Sequence, residues 1–151
     1  MKRLSKRQAI KKHRTMWNKV AEVISEHRSY NSIARYKEEA LKRLGWTEDY
    51  PLHQCYCCEY DDIQLTKPRL RFQERCDHCP VVWRDGKCAN YDSEYGELKL
   101  ILERAQPDWD KAYEIALQIA NLPVNHDYPR WMWQLVRKLR KLGGKHNGRK
   151  S

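Results

Sequence analysis

Apolar residues recur at three- and four-residue steps over the first part of the chain, which is the spacing of one helix face. The pattern predicts an amphipathic helix over residues 5–28, with Ser5 as its N-cap. His13 and His27 fall on the same stripe, and no second ligand lies four residues from either. We therefore expect both to pack at the edge of the stripe rather than to bind a metal. The stripe consists of Ile10, Met16, Trp17, Val20, Ala21, Val23 and Ile24.

The same spacing predicts a second helix over about 32–44, which Gly45 would end in a left-handed cap. A loop and the cysteine-rich region follow, and a third helical segment is expected at about 93–105. The buried face of the second helix is predicted to be Ile33, Tyr36, Ala40, Leu41 and Leu44.

Prolines mark the starts of two further helices. Pro107 is predicted to open the fourth, with Asp108 and Asp110 in its first turn, where they complement the helix dipole. Pro129 is predicted to open the last helix, and Gly143 with the next glycine would close it. The inner face of the fourth helix is predicted to be Trp109, Ala112, Tyr113, Ala116 and Ala120. The apolar seam of the last is Tyr128, Met132, Leu135, Val136, Leu139 and Leu142.

These segments predict a mainly α protein. We expect one helical domain over residues 1–144, with a small four-cysteine zinc-knuckle or zinc-ribbon insert at about 53–90. Residues 145–151 have no apolar anchor and are expected to form a flexible basic tail.

Five of the six cysteines lie within residues 55–83, and four of these form two C-x-x-C pairs. Cys55 with Cys58 and Cys76 with Cys79 are separated by 17 residues, inside the range of about 15–20 expected for two knuckles on one zinc. Two intervening residues let one tight turn aim both thiolates at the metal. These four cysteines are the predicted ligands of a structural Zn²⁺. Four thiolates would leave no position for a reacting water.

Other ligand sets stay open, because Cys57, His78 and Cys88 lie beside the two pairs. A thioredoxin-like redox centre is disfavoured, since no helical pattern follows Cys79 and the second pair would have no role. A nuclease of the His-Asn-His type is also disfavoured, because no histidine lies between the two pairs.

The segments SKRQAIKKHRTMWNKVAE, CYCCEYD, CDHCPVVW with a trailing cysteine, and IANLP occur in this order. Together they resemble a family of small uncharacterised proteins encoded by phages and prophages of Gram-positive bacteria. The resemblance covers the first helix, both knuckles and the fourth helix. It implies a phage setting and a bound metal, a framework role for Cys88 and a variable position at Cys57, without an assigned activity.

The net charge of +10 belongs to the two ends of the chain. Residues 1–14 and 137–151 each carry seven Lys or Arg and no acid, whereas the middle has a net charge of −4. Basic helices with nearby Trp and Tyr predict nucleic-acid binding, although a solvated surface is the alternative. The predicted contact residues are Lys6, Arg7, Lys11, Lys12, Arg14, Arg130, Arg137, Lys138 and Lys141.

A protein-interaction module that inhibits or redirects a host enzyme or an anti-phage defence factor is the second hypothesis. Tyr56, Tyr60, Trp83 and Tyr91 would anchor the partner, unless these rings pack the knuckles against the helices. We expect no enzyme, because the sequence has no glycine-rich phosphate loop or nucleophile elbow. The N-terminus lacks the apolar region of a signal peptide, so a cytoplasmic protein with reduced thiols is expected.

Overall fold

The computed structural model is mainly helical, as the hydrophobic pattern predicts. The structure describes residues 4–46, 55–58, 60, 78–126, 135, 138, 139 and 142. Four helices of nine residues or more lie in this part of the chain: α1 (Lys6–Glu26), α2 (Ile33–Leu44), α3 (Glu94–Leu102) and α4 (Trp109–Ala120). Residues 56–58, 60, 135, 138, 139 and 142 are also helical. Within the described ranges, no helix has the length and apolarity needed to cross a membrane.

The predicted N-cap of α1 is confirmed. The Ser5 Oγ accepts a hydrogen bond from the Gln8 backbone N–H at 3.2 Å, and the Ser5 N–H donates to the Gln8 side chain at 2.9 Å. This reciprocal capping box satisfies two backbone donors that a helix otherwise leaves without partners. The helix ends at Glu26, two residues before the predicted end, and His27 is its C-cap.

The predicted end of α2 is also confirmed, because Gly45 adopts the left-handed conformation with φ of 69°. The loop between α1 and α2 is tied down by Tyr36, whose hydroxyl donates to the His27 carbonyl at 2.6 Å. The same hydroxyl accepts a hydrogen bond from the Tyr30 backbone N–H at 3.3 Å. One aromatic side chain therefore sets the path of the chain from α1 into α2.

The start and inner face of α4 differ from the prediction. Asp108 is the N-cap and accepts a hydrogen bond from the Lys111 N–H at 3.0 Å, so Pro107 lies before the helix rather than in its first turn. A side chain that can accept a hydrogen bond is preferred at the cap position, and proline cannot supply one. Tyr113 is partly exposed. The buried face is Ala112, Ile115, Ala116, Ile119 and Ala120.

One hydrophobic core joins the helices and the cysteine region. α1 packs against both α2 and α4, and α3 packs against α4. Trp17 of α1 lies edge-on to Tyr95 of α3, with ring centroids 6.1 Å apart. Tyr56, Cys57, Cys79, Val81 and Trp83 belong to the same buried cluster as the helix residues. The described residues at 56–57 and at 79–83 are thus part of the core.

The predicted position of His13 at the edge of the apolar stripe is wrong. The residue lies inside this core. Its side chain is 0% exposed, and its Nε2 lies 2.8 Å from the Ile119 carbonyl oxygen. A carbonyl can only accept, so Nε2 carries a proton and donates it to Ile119. Burial lowers the pKa of His13 and the hydrogen bond to Ile119 raises it by less, so the pKa falls from 6.5 to about 4. His27, at the end of α1, is exposed.

We expect the buried imidazole to make the protein less stable as the pH falls. Between pH 6.5 and about 4 His13 binds a proton in the unfolded chain but not in the folded one, so stability rises with pH across this window. The difference in pKa corresponds to about 3 kcal/mol. Urea unfolding at a series of pH values should show this fall in the free energy of unfolding. His13→Gln, which can still donate to Ile119, should remove this part of the pH dependence, and His27→Gln should retain it. Parallel pH profiles of wild type and His13→Gln would contradict the prediction.

Candidate functional site

Cys55 and Cys58 form a turn that is suited to a metal. They flank a helical turn, and their sulfur atoms lie 3.3 Å apart. Two thiolates on a tetrahedral zinc with Zn–S bonds of about 2.3 Å are about 3.8 Å apart, so a small outward adjustment would accommodate the ion. The Cys58 backbone N–H donates to the Cys55 sulfur at 3.4 Å. Backbone hydrogen bonds to a ligand sulfur help to orient metal-binding side chains.

Cys57 and Cys79 extend the group of thiols. The Cys57 thiol contacts both Cys55 and Cys79, and these hydrogen bonds together with burial raise its pKa well above the usual value. The pKa of Cys55 is also raised, because its contact with Cys58 and burial outweigh the lowering by the Cys57 contact. The thiols of Cys55, Cys57, Cys58 and Cys79 therefore lie close together, with Cys57 and Cys79 buried and Cys55 and Cys58 half-buried. The spacing of the two C-x-x-C pairs did not require Cys57 to be among them.

The segment that carries Cys79 is held by the chain that follows α4. Val81 and Val124 form an antiparallel bridge, and the Val82 N–H donates to the Pro123 carbonyl at 2.9 Å. Asn125 is buried, and its side-chain amide donates to the Cys79 carbonyl at 2.7 Å. These contacts fix the position of Cys79 and the residues that follow it against the core.

The remaining predicted ligands are placed differently. Cys88 and His78 are half-buried and have interactions of their own. Cys76 lies outside the described residues. Within the described ranges, no three His, Cys, Asp or Glu side chains are arranged to hold a metal ion. We call Cys55, Cys57, Cys58 and Cys79 the thiol cluster. These described residues alone do not form a metal site, and the predicted ligand set also includes Cys76.

Lys37 is the site residue that the sequence reasoning missed. It lies on the buried side of α2 and is only 2% exposed. Burial lowers its pKa, while the nearby thiols of Cys55, Cys58 and Cys88 raise it. Lys37 lies four residues after Ile33 and four before Leu41, so it falls on the apolar stripe of α2. A cation at such a position is the sequence signal that could have indicated its burial.

The predicted basic residues of α1 form an exposed ridge. Arg7, Lys11 and Arg14 are exposed and follow one another at four- and three-residue steps, which places them on one side of the helix. The first turn of α1 contains no acid. Among the described residues, no carboxylate forms an ion pair with these three side chains. We call Arg7, Lys11 and Arg14 the α1 ridge.

Several other cations are neutralised by neighbouring acids. Arg28 lies 2.9 Å from Asp110, and Lys111 lies 3.1 Å from Glu97. The cations with such partners are Lys19, Arg28, Arg43, Arg84, Lys99 and Lys111. The α1 ridge differs from them because its side chains are exposed and form no ion pair within the described part of the chain.

Lys12 connects the basic helix to the cysteine turn. Its ammonium lies 4.9 Å from the centroid of the Tyr56 ring and 5.6 Å from that of Trp46. The two rings meet edge-on at 5.9 Å. Cation–π contacts of this kind are worth about 0.5–1 kcal/mol at exposed sites and more when desolvated. Lys6, the first residue of α1, is half-buried and has an interaction of its own.

The four predicted aromatic anchors divide into two groups. Tyr56 and Trp83 are buried in the core, so both rings pack the cysteine region against the helices, which is the alternative that the sequence left open. Tyr60 is half-buried, whereas Tyr91 is 80% exposed and lies three residues after Cys88.

The basic residues of the last predicted helix are largely undescribed. Arg130, Arg137 and Lys141 lie outside the described residues, as does the predicted tail over 145–151. Lys138 is helical and exposed. Of the predicted apolar seam, the described members Leu135, Leu139 and Leu142 are exposed.

Comparison of the chain with protein-family models, with curated proteins and with solved structures finds no match. The function must therefore be argued from the thiol cluster and the α1 ridge.

Proposed function

We propose that this chain is a non-enzymatic accessory protein of a phage that acts in the host cytoplasm and binds nucleic acid through its basic terminal helices. A structural Zn²⁺ would hold the cysteine region, with Cys55, Cys58, Cys76 and Cys79 as its ligands. The phage setting rests on the resemblance of the sequence segments. The metal and the nucleic acid rest on the two features described above.

The convergence of thiols supports the metal. Cys55 and Cys58 already lie near the separation that a tetrahedral ion requires, and Cys79 contacts Cys57 in the same turn. Reduced thiols in this number and at this spacing are typical of zinc sites in cytosolic proteins. A four-thiolate site is closed to water, so its role would be to brace the fold.

The α1 ridge carries the nucleic-acid proposal. Three cations on one helix face have no carboxylate partner in the described part of the chain, so they keep their full charge for an external polyanion. Helical rise places Arg7 and Arg14 about 10 Å apart along the axis, which lets the ridge contact successive phosphates. Binding would release counterions and would therefore be sensitive to salt.

Replacing the α1 ridge should weaken both the affinity and its dependence on salt. With about six phosphate contacts, the logarithm of the binding constant for duplex DNA should fall with log salt at a slope near −5 in the wild type. The triple variant R7Q/K11Q/R14Q should bring this slope close to −2, because each lost contact removes about 0.9. Fluorescence anisotropy with a labelled duplex between about 50 and 200 mM salt measures it.

The matched control is R28Q/K99Q/K111Q, which removes the same charge from cations that have acidic partners. It should leave the slope nearly unchanged. Equal slopes for wild type and the ridge variant would contradict a role of α1, and wild-type binding indifferent to salt would contradict nucleic-acid binding altogether.

The exposure of Tyr91 favours protein binding as the second candidate function. A tyrosine that is 80% exposed beside the cysteine region is the kind of side chain that anchors interfaces. Affinity capture from host lysate with nuclease treatment distinguishes the candidates. Partners that survive nuclease and are lost in Tyr91→Ala would support a protein interface, whereas partners released by nuclease would support the first proposal.

A further inference from the structure

The turn from α1 into α2 carries a stack of flat side chains at the surface. The rings of His27 and Tyr30 are nearly parallel, with an interplanar angle of 8° and ring centroids 5.8 Å apart. The Arg35 guanidinium lies over the Tyr30 ring, with its central carbon 4.7 Å from the ring centroid. His27 and Arg35 are exposed, and Tyr30 is half-buried. We call these three residues the loop stack.

The inner side of the loop stack is held by the core. The Tyr30 ring packs against Tyr36, with ring centroids 5.0 Å apart, and Tyr36 is 0% exposed. The Tyr36 hydroxyl also binds the backbone of Tyr30 and of His27. Neither the His27 ring nor the Arg35 guanidinium takes part in these contacts. The stack is therefore fixed in position from below, while its two exposed members are directed outwards.

The charges around the loop stack favour a polyanion. Both acidic residues of α1, Glu22 and Glu26, form ion pairs, with Lys19 and Arg43 respectively. Within the described ranges, no carboxylate pairs with Arg35. The positive charge beside the stack is thus left uncompensated by the described acids, as it is at the α1 ridge.

The loop stack lies at the end of the helix that carries the α1 ridge. A helical rise of about 1.5 Å per residue places His27 about 20 Å beyond Arg14 along the axis. At about 3.4 Å per nucleotide of one strand, this distance corresponds to about six nucleotides. A short strand whose phosphates contact the ridge is therefore long enough to reach the stack.

Flat exposed side chains recognise nucleobases by stacking. Unpaired bases stack on Tyr and His rings and on the planar guanidinium of Arg, and these contacts tolerate any base sequence because every base has a flat face. Bases inside a duplex already cover one another, so their faces are not open to such contacts. Phosphate contacts at the α1 ridge do not distinguish paired from unpaired nucleotides, whereas the loop stack does.

We propose that the loop stack is a binding platform for unpaired bases, so that this chain prefers single-stranded to duplex nucleic acid. The inference rests on the proposed binding of nucleic acid through α1 and names the class of strand that is bound. His27 and Arg35 offer the surfaces on which bases stack, and Tyr30 supports both.

The test uses H27A/R35K, which removes the imidazole and the planar guanidinium but keeps the positive charge at position 35. Fluorescence anisotropy measures its affinity for a labelled single strand of about 12 nucleotides, within the length that single-strand sites occupy. The variant should bind at least about 5-fold more weakly than the wild type, which corresponds to the loss of one stacked base. The loss should appear with DNA and with RNA, because both present the same base faces.

An abasic strand of the same length separates base stacking from every other effect, since it keeps the phosphates and lacks the bases. Wild type and H27A/R35K should bind this strand equally, and they should also bind the matching duplex equally. The slope of the binding constant with salt should not change, because the variant keeps its charge. An equal loss on the normal and abasic strands would overturn the inference.

Two further variants control for folding and for surface changes in general. Y113A/R104K replaces an exposed ring and an exposed arginine that lie outside the loop stack, and it should bind as the wild type does. H27W enlarges the stacking face and should bind the single strand at least as tightly as the wild type. A weaker H27W would overturn the inference.

The failure of this inference differs from the failure of the proposed function. Single-strand affinity of H27A/R35K equal to that of the wild type would overturn the platform and leave salt-dependent binding through the α1 ridge intact. A wild type that binds neither single strand nor duplex would overturn the proposed function and the platform together.

Discussion

Cys79→Ala is expected to lose zinc and to unfold the cysteine region. Cys57→Ala is expected to retain zinc and to keep the region folded. Cys79 is one of the four proposed ligands, and structural zinc contributes about 10–16 kcal/mol of apparent binding free energy in small zinc peptides. Three remaining thiolates would leave an open position and a much weaker site. The helices should survive in part, because α1, α2 and α4 pack against one another.

The two variants are matched, because both cysteines are buried and both changes remove one sulfur from the same cluster. Zinc content of the purified, reduced proteins is the first measurement. The absorption of the cobalt-substituted forms then reports the number of thiolates. Helix content from circular dichroism should fall only modestly in Cys79→Ala. If Cys57→Ala lost the metal and Cys79→Ala retained it, the ligand set would have to be rebuilt around Cys57.

Chelation should reproduce the effect of Cys79→Ala in the wild type. Removing the ion with an excess of a strong chelator should make the cysteine region sensitive to limited proteolysis while fragments containing α1 and α4 persist. The contact of Lys12 with Tyr56 suggests one further consequence. Tyr56 lies directly after Cys55, so loss of the metal should disturb the aromatic corner that Lys12 of α1 covers.

The helices could be predicted from the sequence because their signals are local. Ser5 caps α1 and Gly45 ends α2 as predicted, since both effects depend only on backbone geometry within one turn. The start of α4 was wrong by two residues, because proline and aspartate are both favoured near a helix start and only the packed chain decides between them.

Burial was harder to predict than helix position. His13 and Lys37 each lie on an apolar stripe, where polarity alone suggests an edge position, yet both are buried. Which side of a stripe faces the core depends on the neighbouring helices, and these are distant in sequence. Ile119 of α4, for example, accepts the hydrogen bond of His13 across 106 residues. A lone sequence contains no direct signal of that pairing.

The candidate site likewise combines features that the sequence predicts with features that only the packed chain shows. The spacing of the C-x-x-C pairs is a local signal, and the structure places the Cys55 and Cys58 sulfur atoms 3.3 Å apart, but no three described residues are arranged to hold a metal ion. The inclusion of Cys57 and the approach of Lys37 depend on how the cysteine turn packs against α2. The charge of the α1 ridge could be predicted from composition, whereas only the structure shows that no described carboxylate pairs with it.

Gly96→Ala is expected to destabilise the protein strongly, although alanine is the better helix former by about 1 kcal/mol. Gly96 lies in the first turn of α3, and its N–H donates to the Ser93 hydroxyl at 3.0 Å. A Cβ at this position would lie 2.6 Å from the Tyr91 carbonyl oxygen and would also clash with the Asn90 carbonyl. Both obstacles are backbone atoms, which cannot turn aside as a flexible side chain can.

The loop that would have to move is itself held in place. The Ser93 hydroxyl lies 2.7 Å from the Cys88 carbonyl, and the Asn90 side chain donates to the Asp85 carbonyl at 2.9 Å. Relieving the clash would therefore break contacts at the base of the cysteine region. We expect a loss of about 4 kcal/mol or more, in the range reserved for severe packing faults.

Thermal unfolding should show this loss as a fall in Tm of about 8–16 °C, since 1 kcal/mol corresponds to about 2–4 °C in a chain of this size. Gly45→Ala is the control. No atom lies within 4 Å of its Cβ position, but the backbone is left-handed with φ of 69°, so only about 1–2 kcal/mol should be lost. A Gly96→Ala protein as stable as the wild type would mean that the 90–91 backbone does not approach α3 this closely. The packing of the cysteine region against that helix would then have to be looser than the structure shows.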